Sequence, residues 1–274
     1  MSGAEQGEQT DREEILDAQI RDGISELRRP ADGLFLSGLS AGLDIGFGPL
    51  LMAVLLTVAS FSFSSDLVKE LLMANAYAVG FVFVVLGRSE LFTEHTTLAV
   101  LPVLDGQASV RQLGRLWGLV YLGNVVGAVV FAGFVVAVAP ALHVAEPQAF
   151  AQIATRLTEH DWSVLFAAGV LAGWLMGLLS WLVTAAQETI SRLAVVWMIA
   201  AAIGVTHLPH SIAGTVEVVA GLFAGAPISI ADLVRFLVAA TAGNAVGGSI
   251  FVALLKYGHV VRCGPTVETT GGDD

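Results

Sequence analysis

Six long apolar stretches fill most of this 274-residue chain. They run at about Leu34–Phe61, Leu71–Leu104, Leu113–Ala139, Val164–Ala186, Leu193–Ala224 and Leu233–Leu255. Each matches or exceeds the roughly 20 residues that a helix needs to cross a bilayer. Charged residues make up 14% of the chain and hydrophobic ones 55%. Soluble domains carry about 25% charged residues, so much of this surface must face lipid. The expected fold class is an all-α integral membrane protein with six transmembrane helices.

The third and sixth stretches resemble one another. Gly123-Asn124-x-Val-Gly127 returns 120 positions later as Gly243-Asn244-x-Val-Gly247. Each follows an apolar stretch that polar residues interrupt: Glu90-Leu91-Phe92-Thr93-Glu94-His95 in one half, Thr206-His207-Leu208-Pro209-His210-Ser211 in the other. The second and fifth stretches are too long for one clean helix and read as half-helix, loop, half-helix. Irregular backbone at membrane depth is tolerated only against protein or a water-filled cavity. Three stretches per half is an odd number of crossings, so the halves, about residues 33–140 and 160–257, form inverted repeats. Broken helices in matching places of such repeats point to a solute site near the midplane, hence to a channel or transporter.

Residues 1–32 and 259–274 read as tails flanking a transmembrane domain at 33–258. The Thr10-x-x-Glu13 pattern has the capping-box form. Ile15, Leu16, Ile20, Ile24 and Leu27 then recur at near-helical spacing, predicting a short amphipathic helix outside the bilayer that Pro30 stops. A net charge of −11 argues against nucleic acid as a partner. The polar, acidic start does not have the form of a signal peptide, and the single cysteine, Cys263, can form no internal disulfide. With the N-terminus inside, nine Lys and Arg residues fall on the inner side and three, Lys69, Arg156 and Arg235, on the outer. That imbalance predicts both termini in the cytoplasm.

Four stretches carry a resemblance to the formate/nitrite transporter family: Glu90-Leu91-Phe92-Thr93, Gly123-Asn124-x-x-Gly127, His210-Ser211-Ile212-Ala213 and Gly243-Asn244-x-x-Gly247-Gly248. The resemblance implies an aquaporin-like six-helix protomer with its own pore, a homopentamer in the inner (plasma) membrane, and no cofactor. It also implies a small monovalent anion or its conjugate acid as solute, such as formate, nitrite or hydrosulfide.

His210 precedes the half-helix that opens at Ser211. Unpaired N–H groups and partial positive charge at a helix N-terminus suit an anion. A bare anion in an apolar bore loses hydration that the walls cannot replace, and protonating a weak acid removes most of that cost. Imidazole is a proton partner near neutral pH, and the resemblance gives the matching histidine a pore role; the alternative is a histidine that only binds the broken backbone. Thr93, at the first break, is expected to approach His210 or to cap the following half-helix. Leu91, Phe92, Ile203 and Leu208 supply apolar constriction, and Tyr77 and Phe81 lie one turn apart on the preceding half-helix. By alignment of motifs Tyr77 and Ile203 fall where relatives place bulky gates. Packing alone is the other reading of these side chains. Asn124 and Asn244 are read as structural, tying the loop groups that the breaks leave unpaired. Gly123, Gly127, Gly243 and Gly247 let helices approach closely.

The chain departs from the family pattern at several places. Glu94-His95 follows Thr93, Pro209 precedes the histidine, Gly214 follows His-Ser-Ile-Ala, and Gly173-Trp174 stands where relatives place Asn-Trp. Leu157 is in register with the vestibule lysine of the anion channels, with Arg156 beside it, and Asp44 adds an acid to the first stretch. Arg88 is the nearest candidate partner for Glu90 or Glu94, or else an interfacial snorkelling arginine. Two other functions stay open. Glu94, His95, His207 and His210 are ligand types for Zn²⁺. Asp44, Glu94 and His210 would serve as the relay of a proton-coupled transporter, with His95, His207 and Arg88 beside it.

Overall fold

The computed structural model describes residues 11–59 and 65–263, and all regular structure among them is helical. Helix α1 spans Arg12–Arg28, and α2 (Ala31–Asp44) and α3 (Phe47–Ala59) follow. The first broken element comprises α4 (Asp66–Gly87), α5 (Phe92–Leu98) and the short α6 (Leu101–Leu104), and α7 (Val110–Ala141) closes the first repeat. Helix α8 (Pro147–Thr158) links to α9 (Trp162–Ala185). The second broken element comprises α10 (Thr189–Val205) and α11 (Ser211–Phe223), and α12 (Ile230–Val246) runs through a π-helical stretch, Gly247–Leu254, into α13 (Leu255–Cys263). The Thr10 capping pattern lies outside the described residues; Asp11 occupies the N-cap of α1 and makes no side-chain cap bond there.

Five of these elements are long and apolar enough to cross a membrane, counting α2–α3 as one run bent at Ile45-Gly46; α10 and α11 are shorter apolar helices. Valine and phenylalanine side chains at Val126, Val130 and Phe134 of α7 and at Val234 and Val238 of α12 stand exposed. Apolar faces of that extent belong against lipid or another subunit rather than water.

The two repeats pack alike: α2 against α7 in the first, α9 against α12 in the second. Small residues allow both contacts. Gly123 and Gly127 lie on the backbone of α2 at Phe35 and Leu39, while Gly243 and Gly247 lie on α9 at Phe166 and Val170. A Cβ at any of the four would overlap those main-chain atoms. Gly42 and Gly173 answer from the opposite side, against the carbonyls of Asn124 and Asn244.

Helix α1 is tied down rather than free. Ile15, Leu16 and Ile20 are buried with Val100, Leu101, Trp181, Ala253 and Val260. Burying each such side chain contributes about 1.5–3 kcal/mol relative to leaving it in water. Gln19 adds hydrogen bonds from Nε2 to the Ser180 carbonyl (3.1 Å) and to the Thr184 hydroxyl.

Helix α8 is a further element that the apolar runs do not signal. Its Phe150, Ile153 and Ala154 turn inward, against α11.

Candidate functional site

Both breaks are built to one backbone plan, offset by 119 positions. Arg88 and His207 take left-handed φ angles of 57° and 50°. The N–H of the next residue then reaches back to close the helix end: Ser89 to the Val84 carbonyl at 3.1 Å, Leu208 to the Ile203 carbonyl at 3.2 Å. This is the Schellman arrangement, with Arg and His where glycine is usual.

One asparagine then holds each break. Asn124 Oδ1 accepts from the Phe92 N–H (2.8 Å), and its Nδ2 donates to the carbonyls of Gly38 and Glu90, both at 2.8 Å. Asn244 repeats the pattern: Oδ1 accepts from the Ser211 N–H (2.8 Å), and Nδ2 donates to the carbonyls of Gly169 (2.9 Å) and Pro209 (3.0 Å). Each amide therefore ties the incoming strand of a break, the first N–H of its half-helix and the neighbouring helix. A buried backbone group left unpaired costs about 1–3 kcal/mol, and each asparagine satisfies three.

In this plan Leu91 and His210 are counterparts, the residue before α5 and the residue before α11. Leu91 makes no side-chain cap bond. His210 does: Nδ1 accepts from the N–H groups of Ile212 (3.3 Å) and Ala213 (3.2 Å). Its other nitrogen, Nε2, lies 2.8 Å from Thr93 Oγ1. Both side chains are buried, His210 at 1% exposure and Thr93 at 0%. The ring stands edge-on to Phe81 (centroids 5.0 Å, planes 83°), which in turn meets Tyr77 at 5.1 Å. A narrow cavity of about 20 Å³ holds His210 with Tyr77, Ile203, Leu208, His207 and Glu217.

The expected pair of Thr93 and His210 thus meets, with Tyr77, Phe81, Ile203 and Leu208 around it. Thr93 is the second residue of α5 and gives its hydroxyl to the His210 contact rather than capping the half-helix. Phe92 turns away, packing edge-on to Trp117 (5.6 Å) and Tyr121 (5.1 Å) of α7. Leu91 is fully buried in the main core.

The charged candidates lie in separate places. His95 Nε2 is 2.5 Å from Glu90 Oε2, and Glu90 Oε1 is 2.6 Å from Arg29 Nη1, which also meets Glu26 at 2.7 Å. Glu90 is therefore paired by Arg29 of the α1–α2 junction; Arg88 forms no ion pair among the described residues. Only the tertiary fold brings position 29 to position 90. His207 Nε2 pairs with Glu70 Oε2 at 2.8 Å, and Glu70 Oε1 takes Arg156 Nη1 at 2.9 Å. Asp44 accepts from the hydroxyls of Ser40 (3.1 Å) and Ser89 (3.4 Å). With His95 on Glu90 and His207 on Glu70, the set Glu94, His95, His207 and His210 does not converge on one ion. Among the described residues the metal-ligating group that does form is Glu26, Glu90 and His95, and the Arg29 guanidinium already binds both its carboxylates. Asp44 likewise is not joined to His210 by any hydrogen bond.

Three charged residues that line the cavities here were not among the sequence candidates for the site. Glu217 of α11 is 6% exposed and lines the His210 cavity. It also lines a wider cavity of about 120 Å³ toward α8, with Lys69, Glu70, Arg156 and His207. Its signal was a single acid inside the apolar run Val216-Glu217-Val218. Lys69 and Glu70, near the start of α4, are the others.

Two repeats of like construction, each with a broken helix, that meet on a buried histidine within an apolar shell define a membrane transport protein. The formate/nitrite transporter family model matches residues 13–258, and the chain belongs to that family. Its fold and relatives are those of channels and transporters rather than enzymes. It is 30% identical over 243 residues to the inner membrane protein YfdC of Escherichia coli strain K12, covering 88% of this chain and 76% of that one. It is 30% identical over 253 residues to a probable formate transporter of Methanothermobacter thermautotrophicus, covering 85% and 92%. Among solved structures, an FNT family ion channel superposes with a TM-score of 0.80 at 24% identity, covering 91% of this chain and 99% of the other. A pentameric formate channel with formate bound gives 0.70 at 24%, covering 84% and 98%.

Proposed function

We propose that the protein conducts a small monovalent weak acid, of the formate, nitrite or hydrosulfide kind, through a pore within each protomer, with His210 and Thr93 at its centre. The observation that carries this reading is the 2.8 Å contact between His210 Nε2 and Thr93 Oγ1 at the meeting of the two breaks. Because Nδ1 accepts two backbone N–H groups, the hydrogen bonds assign the proton to Nε2. The ring is then neutral, and its Nε2–H donates to Thr93 Oγ1. The Thr93 hydroxyl hydrogen is left to point at a passing solute oxygen or sulfur. One free polar donor in an apolar constriction admits a small solute that can shed its charge and excludes hydrated ions.

In this reading the pore runs between α4–α5 and α10–α11, and α10 and α11 together supply the sixth crossing. The lysine and arginine count supports a multi-pass protein of the inner (plasma) membrane, both termini in the cytoplasm, α1 on the inner side and α8 on the outer. The pentameric assembly of the structurally similar formate channel supports five protomers here. Asn124, Asn244 and the four close-approach glycines hold the frame, and residues 33–258 form the channel domain.

The test is flux into proteoliposomes holding a pH dye, with formate, nitrite, acetate, lactate, hydrosulfide and glycerol offered in turn. Fast passage of one small weak acid, lost in His210→Phe, is the expected result. If no weak acid passes, the reading is overturned.

A further inference from the structure

The neutral ring at the centre raises a question of proton supply, because a histidine whose Nδ1 is occupied by helix N–H groups has no spare proton to give. To act as an acid it would have to carry a proton on Nδ1 and lose both cap bonds. A second ionisable group lies on the same path. Glu217 is on α11 seven residues beyond His210, close to two full turns, which puts it on the same helix face about 10 Å further toward α8. It lines both the narrow cavity with His210 and the wider one above it. It is nine-tenths buried and makes no hydrogen bond or ion pair with any described residue. A carboxylate buried without partners is strongly disfavoured, so the neutral acid, with its O–H, is the form this site holds.

Resting on the function just proposed, we infer that Glu217 is the proton donor to the solute: an anion entering from the α8 side takes its proton there before passing the Tyr77, Ile203 and Leu208 constriction. The Glu217 O–H bond breaks and an O–H or S–H bond on the solute forms. The neutral acid moves on to Thr93 and His210, and the carboxylate left behind is reprotonated from the outer solution. The groups facing Glu217 fit this order. Glu70 has both oxygens engaged, one by Arg156 and one by His207. Lys69 lines the same cavity and supplies the positive charge that draws an anion in. Besides Lys69 and Glu70, α4 brings the titratable Tyr77, while Met52 and Leu56 of α3 and Val135 of α7 bring no charge.

The experiment compares formate uptake by wild-type protein, Glu217→Gln and Glu217→Asp in proteoliposomes, each at near-neutral and at acidic external pH. Loss of general acid help should slow the Gln variant on the order of a hundredfold near neutrality. In an acidic bath, where formic acid arrives already neutral, its uptake should return to within about twofold of wild type. Glu217→Asp, which keeps an acid, should retain part of the neutral-pH rate. Wild-type uptake by the Gln variant near neutrality would overturn the inference and leave the channel reading standing. Equal loss at both pH values would assign Glu217 a structural role and overturn it too. If wild-type protein carries no weak acid, the channel reading falls and this inference with it.

Discussion

His210 and Leu91 hold the same place in the two repeats, and only one of them is polar. Each directly precedes a half-helix whose first N–H is held by an asparagine Oδ1, at 2.8 Å in both cases. The frame is thus duplicated and the chemistry is not. His210 serves its own helix through Nδ1 and the opposite repeat through Nε2, so it joins the halves as well as facing the path.

Replacing His210 by Phe removes a cap from two buried N–H groups and the partner of Thr93. Helix cap loss costs about 0.5–2 kcal/mol, too little to unfold so buried a frame. The expected outcome is a purified protein that melts a few degrees lower and whose weak-acid flux falls by about tenfold or more. Melting curves and dye-reported flux on the same preparation check it; unaltered flux would remove His210 from the path.

Thr93→Val and Thr93→Ser separate the hydroxyl from its shape. Valine keeps the volume and leaves the His210 Nε2–H unsatisfied in a dry site, a penalty of about 1–3 kcal/mol. Serine keeps the donor. Flux should be low in the first and near wild type in the second, and equal flux in the two would show that the hydroxyl does not meet the solute.

Asn124→Ala and Asn244→Ala each strand three backbone groups. At about 1–3 kcal/mol per group, either change should leave little assembled protein, as read by size-exclusion yield and thermal melting. Asn→Asp should be nearly as damaging, because the two Nδ2 donations are lost. A well-assembled Asn244→Ala protein would show that the break does not depend on its amide.

The seat of α1 should depend on pH through Glu26, which precedes the first candidate span, Ala31–Val58. Burial, and next the charge of Glu90, hold its carboxyl above the usual glutamate value, against the pull of Arg29. A raised value in the docked state means that the contribution of Glu26 is whole below its ordinary value, near 4.3. It fades as pH rises through the raised one. Protection of the α1 amides, with the intrinsic pH dependence of exchange divided out, should therefore fall from acid toward neutral pH, and the trend should flatten in Glu26→Gln. An unchanged trend in that variant would clear Glu26 of the effect.

Most of the frame could be read along the chain because its signals are local. Apolar runs, paired Gly-Asn-x-x-Gly stretches and polar interruptions each span only a few residues, and they led to Thr93 and His210 together. Tertiary pairing was harder. Arg29 reaches Glu90 across 61 positions and Arg156 reaches Glu70 across 86, while Arg88, two positions from Glu90, forms no ion pair with Glu90 or Glu94. Phe92 was expected at a constriction, but its ring belongs to α7, since adjacent helix residues face 100° apart. Glu217 was hidden by its apolar neighbours, and α8 by its modest length.

The π-helical stretch Gly247–Leu254 alters the phase of everything after it. Gly248 lies against Thr96, whose carbonyl accepts from Ser249 Oγ at 2.9 Å, and the Gly248 carbonyl accepts from Thr97 Oγ1 at 3.0 Å. The widened turn lets the last crossing hold α5 and still deliver Tyr257 to Asp105, 3.1 Å away. Forcing that stretch into an ordinary α-helix without changing its length would swing α13 by about 100° around its axis, because a π turn takes up a residue that an α turn does not. The Tyr257 hydroxyl would then face away from Asp105 and Val260 would leave the pocket it shares with α1. A tightening within the last helix would thus be felt where α13 meets α1, at positions where no residue had changed.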